Sequence, residues 1–287
     1  MAGPIPPSSP LPARPPAHGV LVTGGGRRLG AAVCQAFARA GWRVWCQYRG
    51  SREAAHALCE RLRAEGGIAE AIEADIAGAA GRAALMAAIA AAGGTLDCVV
   101  NNASAFEPDT GLDFEADAAL RQLGVNLIAP LDFARLLARQ AAEAGVDGGD
   151  GADRSAIHVL DQKVYNLNPD YFSYTVSKLA LERAVALQAQ SLAPAVRVCG
   201  VAPGLMFESG PQDTENFRRA ARANLLRRPI DPADVARACV FLAGTPSATG
   251  TTLCVDNGQH LVPLERDIMF VVDELLHPDN EKKAPPP

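Results

Sequence analysis

The sequence lacks the features that mark membrane, secreted and nucleic-acid-binding proteins. None of its 287 residues belong to an apolar run long enough to cross a membrane, and the N-terminus has no charged-then-apolar signal peptide. Lysine and arginine total 27 against 32 acidic residues, and no basic stripe is present to bind a polyanion. We therefore expect a cytoplasmic protein with no membrane partner and no nucleic-acid partner.

Cysteine pairs with the spacing of a disulfide framework or a zinc site are also lacking. The seven cysteines are odd in number, widely spread and never arranged as C-x-x-C. This pattern is typical of small buried apolar side chains in a reducing compartment. We predict that the protein holds no metal.

What the sequence does contain is a regular alternation of short apolar runs with helical patterns. The alternation begins at His18 and continues to about residue 265, after a proline-rich arm at 1–17 that has almost nothing to bury. Seven strands alternating with helices predict one α/β domain at 18–265, a Rossmann-type doubly wound parallel sheet. A glycine-rich loop is expected at 146–154, and the tail at 266–287 begins with the pattern of one helix.

A glycine cluster, TGGGRRLG, lies where the first strand turns into the first helix. Glycines at this position let the backbone approach a pyrophosphate, whose charge is stabilised by the helix N-terminus. The alternative is a purely structural tight turn. The cofactor residues predicted in this segment are Thr23, Gly24, Arg27, Arg28, Leu29 and Gly30.

The residues after the second strand indicate which dinucleotide binds. An NAD site is expected to place Asp or Glu there, but the chain has Tyr48, Arg49 and Ser51 and no acid. The Arg49 guanidinium and the Ser51 hydroxyl can hold a 2′-phosphate, which favours NADPH. Alternatively, Arg49 is a solvated side chain and Ser51 caps the following helix.

Tyr174 and Lys178 lie four residues apart in a helical pattern, so both side chains project from one face. An adjacent ammonium favours phenolate and would lower the tyrosine pKa from its usual value of about 10. The pair therefore suits proton transfer. The same spacing arises by chance in many helices, so the surrounding sequence has to decide.

Taken in order, five motifs resemble the short-chain dehydrogenase/reductase family. They are the glycine cluster at 23–30, NNA at 101–103, Asn126, the Tyr174–Lys178 pair and PG at 203–204. Most members have glycine in place of Arg28 and serine thirteen residues before the tyrosine, where this chain has Asp161. Both departures, and the NNAS-x-F segment ending at Phe106, are similar to those of pteridine reductases.

The resemblance implies roles for further residues. Lys178 would hold the nicotinamide ribose and tune Tyr174, while Asn126 would support a water in the proton path. Phe106 would stack on a pterin ring, and Arg28 would contact its polar edge or the cofactor phosphates. Commonly, such reductases are homotetramers packed through the helices near Asn126 and Tyr174. The remaining implied contacts are Asp75 and Ile76 at the adenine, Asn102, Ala103 and Ser104 at the ribose, Pro203 and Gly204 at the cofactor, and Ser104 and Leu205 at the substrate.

Asp161 can also be interpreted without the resemblance. A ketone reductase needs a neutral donor at the oxygen that becomes negative, and a carboxylate would repel that oxyanion. Reduction of a C=N bond needs a proton at nitrogen, which an acid beside Tyr174 can relay. Otherwise, Asp161 simply caps the loop after its strand.

These observations predict NADPH-dependent reduction of a pteridine, with a dihydrobiopterin-, dihydromonapterin- or dihydrofolate-like substrate and Asp161, Tyr174, Lys178 and Asn126 as the catalytic residues. The first alternative is a reductase of another carbonyl or imine. The second is a non-catalytic protein that senses NADPH or serves as a scaffold, although such a protein has no need of Asn126, Tyr174 and Lys178 as a set.

Overall fold

A computed structural model describes residues 18–143, 154–210 and 212–276. The predicted proline-rich arm and the predicted loop at 146–154, apart from Arg154, lie outside the described residues. In the part of the chain that is described, no helix is both long and apolar enough to span a membrane.

The described residues form the predicted doubly wound sheet. Seven parallel strands pair in the order β3-β2-β1-β4-β5-β6-β7. The central strands β1, β4 and β5 are buried throughout and mostly apolar, as is usual for parallel strands whose two faces are both covered by helices. The strands are β1 (Gly19–Val22), β2 (Arg43–Tyr48), β3 (Ile68–Glu73), β4 (Cys98–Asn101), β5 (Ser155–Val159), β6 (Arg197–Pro203) and β7 (Thr252–Val255).

Helices connect the strands, and several begin and end at residues that the sequence predicts. Asp231 caps its helix by accepting a hydrogen bond from the Ala233 amide, ahead of a proline in the first turn. Gly66 follows another helix at a φ of 88°, a conformation that glycine adopts without strain. The helices are α1 (Arg28–Arg39), α2 (Arg52–Ala64), α3 (Ala79–Ala91), α4 (Ala116–Leu123), α5 (Ala129–Glu143), α6 (Phe172–Leu192), α7 (Thr214–Ala220), α8 (Pro232–Ala243) and α9 (Ile268–Leu276).

Two apolar layers hold the helices against the sheet. Strand β1 contributes to both, since Val20 and Val22 face one layer and Leu21 faces the other. Six of the seven cysteines are buried, as predicted, but Cys254 is exposed. Among the described residues no group of three or more His, Cys, Asp or Glu could hold a metal ion.

The core continues beyond the boundary predicted at residue 265. Ile268 and Val272 of α9 are buried and pack with Leu264 and with Ala220 of α7. The C-terminal segment is therefore part of the globular body and forms one wall of the functional cleft.

Strand β1 lies between β2 and β4, so the chain order reverses at its two sides. In sheets of this type the loops at the carboxyl ends of these strands separate and leave a crevice. The cleft described next lies at this point.

Candidate active site

A cleft of about 710 Å³ opens at the carboxyl ends of the central strands. It contains most of the residues predicted from the sequence, and these come from every part of the domain. The predicted residues that line it are Gly24, Arg27, Arg28, Leu29, Gly30, Arg49, Asp75, Ile76, Asn102, Ala103, Ser104, Phe106, Asp161, Tyr174, Lys178, Pro203, Gly204 and Leu205.

The glycine turn after β1 has the shape of a phosphate-binding loop. A Cβ at Gly30 would lie 2.2 Å from the Gly24 carbonyl oxygen, so only glycine fits there. Gly24 has a φ of 62°, and its amide donates a 2.8 Å hydrogen bond to Gln47 Oε1. Arg28 begins helix α1 at a φ of 49°, which is a left-handed conformation that most residues avoid. Glycine adopts this conformation without strain, which explains why most members of the family that the sequence resembles have glycine in place of Arg28.

Four predicted residues do not line the cleft. Thr23 lies behind it, where its hydroxyl accepts hydrogen bonds from the amides of Asn102 and Ala103 at 3.0 Å. Thr23 therefore joins the loops after β1 and β4 instead of lying against a ligand. The other three are Tyr48, Ser51 and Asn126.

The residues after β2 occupy two different environments. Arg49 is exposed and lines the cleft, as an arginine that holds a phosphate must. The ring of Tyr48 is instead buried in the core, where its hydroxyl lies near Glu73 and His56, so its side chain does not line the cleft. Ser51 occupies the N-cap position of α2, but its side chain makes no capping hydrogen bond.

Asn126 holds the loop that follows β4. It lies in a π-helical turn, Gly124–Ile128, between α4 and α5. Its Oδ1 accepts from the Ala105 amide at 2.7 Å, and its Nδ2 donates to the Ala105 carbonyl at 2.8 Å and to Ser177 Oγ at 3.0 Å. The hydrogen bonds of this side-chain amide thus go to protein groups and hold the loop, and the support of a water stays a prediction.

Tyr174 and Asp161 are in direct contact. The Tyr174 hydroxyl donates a 2.8 Å hydrogen bond to Asp161 Oδ2, and Asp161 Oδ1 accepts a 2.8 Å hydrogen bond from the Lys163 amide. Asp161 therefore caps the turn after β5 and contacts the tyrosine at the same time. The interpretation of Asp161 as a loop cap is confirmed, while its role in a proton relay stays a prediction.

The protonation of this group differs from the sequence prediction. Burial, followed by the charge and hydrogen bond of Asp161, raises the Tyr174 pKa well above 10, so the expectation of a lowered tyrosine pKa is wrong. Lys178 is turned away from the hydroxyl and donates to the Val159 carbonyl at 2.7 Å. Burial lowers the Lys178 pKa to about 8 and raises the Asp161 pKa.

Phe106 forms the aromatic wall of the cleft. Its ring is 37% exposed and stacks on Tyr171, with centroids 4.0 Å apart, while its edge meets Tyr174 at 4.7 Å. The exposed part of the ring is available to a flat ligand.

Several residues of the cleft were not found from the sequence. Lys163 and Asp267 form an ion pair of 3.0 Å, and Gln259 Oε1 accepts a 2.8 Å hydrogen bond from the Leu205 amide. Lys163 and Asp267 are separated by 104 residues, so no local pattern indicates that they meet. Gln162 and Asn168 also line the cleft.

The fold and the cleft together define an oxidoreductase that uses a dinucleotide. The glycine turn lies at the switch point of a doubly wound sheet, which is where such cofactors bind. At the same edge, the Tyr174 hydroxyl is hydrogen-bonded to the half-buried Asp161, and Lys178 lines the cleft beside them.

The chain belongs to the short-chain dehydrogenase/reductase family. A family model described as enoyl-(acyl carrier protein) reductase matches residues 25–260. A solved structure, FolM alternative dihydrofolate reductase 1 from Brucella suis in complex with NADP, is 34% identical with a TM-score of 0.76, covering 85% of this chain and 95% of that one.

Two characterised relatives differ in their reactions. Dihydromonapterin reductase of Citrobacter koseri is 29% identical over 84% of this chain and 96% of its own length. L-rhamnose 1-dehydrogenase (NAD(P)(+)) of Azotobacter vinelandii is 32% identical over 83% of this chain and 95% of its own length. Family membership therefore leaves the substrate to be argued from the cleft.

Proposed function

We propose that this protein is an NADPH-dependent reductase of a C=N bond in a pteridine ring, with a substrate similar to dihydrobiopterin, dihydromonapterin or dihydrofolate. The observation that supports this most directly is the 2.8 Å hydrogen bond between the Tyr174 hydroxyl and Asp161. It puts a buried carboxyl group at the hydroxyl from which a proton is transferred.

The chemistry of Asp161 favours an imine over a ketone. As a ketone is reduced, negative charge develops on oxygen, and a nearby carboxylate disfavours that charge. A ring nitrogen instead gains a proton while hydride reaches the adjacent carbon. Because burial raises the pKa of Asp161, its carboxyl group can carry that proton closer to neutral pH.

The residues of the cleft fit NADPH. The backbone of Gly24 and Gly30 leaves room for a pyrophosphate, and Arg27 and Arg49 are exposed cations at that end. Between β2 and α2, none of the described residues that line the cleft is an aspartate or a glutamate. This loop therefore suits a 2′-phosphate better than a free ribose hydroxyl. When bound, the cofactor supplies the hydride.

The protein groups supply the proton. Tyr174 stays a neutral phenol at physiological pH because its pKa is raised, so it can donate its proton to the ring nitrogen. A protonated Asp161 carboxyl group would then return a proton to the Tyr174 phenolate, with which it is in direct contact, and would itself be reprotonated from solvent. Lys178, tied to the Val159 carbonyl, is in place to bind ribose hydroxyls.

The relatives support a pterin substrate without deciding it. Both the Brucella suis structure and the Citrobacter koseri enzyme are named for reduction of a pteridine ring. The sugar dehydrogenase of Azotobacter vinelandii supports the second candidate, a carbonyl oxidoreductase. Asp161 at the tyrosine hydroxyl argues against that candidate on electrostatic grounds.

A parallel assay tests the proposal. NADPH oxidation is measured with dihydrobiopterin, with dihydrofolate and with a simple β-ketoester, and NADH replaces NADPH in a second series. We expect turnover of at least one dihydropteridine and a clear preference for NADPH. Turnover of the ketoester alone would overturn the pteridine proposal. Cofactor binding without turnover of any substrate would favour a non-catalytic role.

A further inference from the structure

Beyond Asp161, the cleft contains a charged pair that the proposed reaction does not use. The Lys163 ammonium lies 3.0 Å from Asp267 Oδ2, and their side chains are only 4% and 15% exposed. Both residues line the cleft, and the Lys163 amide is hydrogen-bonded to the carboxyl group of Asp161. The pair therefore forms part of the cleft wall beside the proposed reacting groups.

Two acceptor oxygens near this pair have no partner within the described chain. They are Oε1 of Gln162, a residue that is 8% exposed, and Oδ1 of Asn168. Both residues line the cleft. A buried acceptor without a donor is unfavourable and uncommon, so these oxygens indicate a ligand that donates hydrogen bonds.

The segment that contains Asp267 is held firmly in place. Arg266 makes a two-pronged ion pair with Asp170, through contacts of 2.7 to 3.0 Å, and the Asp267 amide donates to the same carboxylate at 2.7 Å. Asn166 donates a 2.7 Å hydrogen bond to the Val262 carbonyl. The turn that follows Asp161 thus fixes the C-terminal wall, and the position of Asp267 is set before a ligand binds.

We propose that Gln162, Lys163, Asn168 and Asp267 form a substituent subsite, which binds the hydroxyl groups of a polyhydroxylated alkyl chain attached to the reduced ring. The inference rests on the proposed pteridine reaction and narrows its substrate class. A hydroxyl group suits this subsite because it donates to the amide and carboxylate oxygens and accepts from the ammonium. A plain alkyl group leaves those oxygens unsatisfied, and an aryl-glutamate tail brings carboxylates toward Asp267.

The first experiment compares three dihydropteridines with the wild-type protein, using NADPH and steady-state kinetics. The substituents at ring position 6 are a polyhydroxyalkyl chain, a methyl group, and the aryl-glutamate of dihydrofolate. We expect KM for the polyhydroxyalkyl substrate to be about 10- to 100-fold lower than for the methyl substrate, the range for lost hydrogen bonds to charged groups. The kcat values should agree within a few-fold, since the subsite acts on binding.

The second experiment changes the pair. Lys163→Met alone would leave Asp267 buried without its cation, so the variant to use is the double substitution Lys163→Met with Asp267→Asn. We expect KM for the polyhydroxyalkyl substrate to rise about 10-fold or more while KM for the methyl substrate stays within about two-fold. Glu265→Gln, an exposed change in the same segment, is the matched control and should alter neither KM.

The outcomes separate the subsite from the reaction. Equal KM values for the methyl and polyhydroxyalkyl substrates in the wild type would overturn the subsite and leave the pteridine reaction standing. An equal loss on both substrates in the double variant would show that the pair only supports the fold, which also overturns the subsite. If no dihydropteridine is turned over, the proposed function and this inference fail together.

Discussion

At the scale of single residues, Asp161 is the side chain on which the proposed chemistry depends most. Its two carboxyl oxygens are bound by different donors, the Tyr174 hydroxyl and the Lys163 amide. Replacing Asp161 therefore removes a loop cap and, under the proposed mechanism, a proton carrier.

We expect Asp161→Ser to lower kcat for a dihydropteridine by about 10²- to 10⁴-fold, the range typical of a lost acid or base. NADPH affinity should be nearly unchanged, because Asp161 lies after β5 and is not part of the glycine turn that is expected to bind the cofactor phosphates. The measurements are kcat by NADPH oxidation and the NADPH dissociation constant by fluorescence titration. Asp161→Asn is the matched variant, since it keeps the shape and the acceptor for the Lys163 amide. An equal fall in NADPH affinity would show that Asp161 is not a proton relay.

The residue types of the site could be read from the sequence, but their electrostatics could not. The spacing of Tyr174 and Lys178 correctly predicts a shared helix. The direction of the tyrosine pKa shift was predicted wrongly because it depends on burial and on the contact with Asp161, neither of which the local sequence shows. Arg28 was predicted to contact the cofactor or the substrate, but its left-handed backbone could not be predicted from the sequence.

At the scale of elements, the π-helical turn at Gly124–Ile128 positions the loop after β4. The turn directs Asn126 into the interior, where it is fully buried and binds both backbone groups of Ala105. The loop continues to Phe106, so the position of this aromatic wall of the cleft depends on Asn126, which lies beyond α4 in the chain.

Asn126→Ala should loosen this loop. We expect faster hydrogen exchange at the Ala105 amide, which loses its acceptor. We also expect kcat to fall about 10-fold or more, because a displaced loop orients the substrate less well. Hydrogen–deuterium exchange of the peptide containing residues 102–110 measures the first effect. Asp117→Asn, an exposed change on α4, is the control. Unchanged exchange at Ala105 in Asn126→Ala would contradict the positioning role.

Strand β5 contains a second buried polar group, His158. Its Nδ1 lies 3.1 Å from Asn101 Nδ2 and its Nε2 lies 3.0 Å from Gln188 Oε1, a pattern that fits a neutral ring. Burial, assisted by the charge of Lys178, lowers its pKa from 6.5 to about 4. Below pH 6.5 the unfolded chain therefore takes up a proton that the folded chain does not.

His158 should consequently reduce stability as pH falls from 6.5 toward 4. The slope from this group is at most about 1.4 kcal/mol of unfolding free energy per pH unit. Denaturant unfolding of the wild type and of His158→Asn at several pH values in this range measures it. The free-energy difference between the two proteins should shrink as pH falls. A constant difference would show that His158 titrates normally in the folded state.

The element pattern could be predicted well because each strand is a short apolar run that ends in glycine or a polar cluster. The π-helical turn could not, since GVNLI differs in no local propensity from an ordinary helical turn. Helix α9 was predicted from the sequence. The contribution of this segment to the cleft was not, because it depends on an ion pair between Asp267 and Lys163, which are far apart in the sequence.

At the scale of the whole molecule, one helix face has no covering partner within the described chain. Phe172, Val176 and Leu187 of α6 are 37%, 39% and 65% exposed, and their spacing places them on one side of the helix. Leu120 on α4, which contacts α6, is 64% exposed. An apolar stripe of this kind is typical of a surface that associates with another copy.

We predict a homotetramer in which this stripe is one interface. Light scattering should give a mass of four 30.0 kDa chains for the wild type. Leu187→Glu should give a smaller assembly, because burying a leucine is favourable by about 1.5–3 kcal/mol and burying an unpaired carboxylate is costly. Ile68→Glu, which places the same charge at an exposed site on the edge strand β3, should leave the mass unchanged. A wild-type mass of one chain, or a Leu187→Glu mass equal to that of the wild type, would contradict an interface on this face of α6.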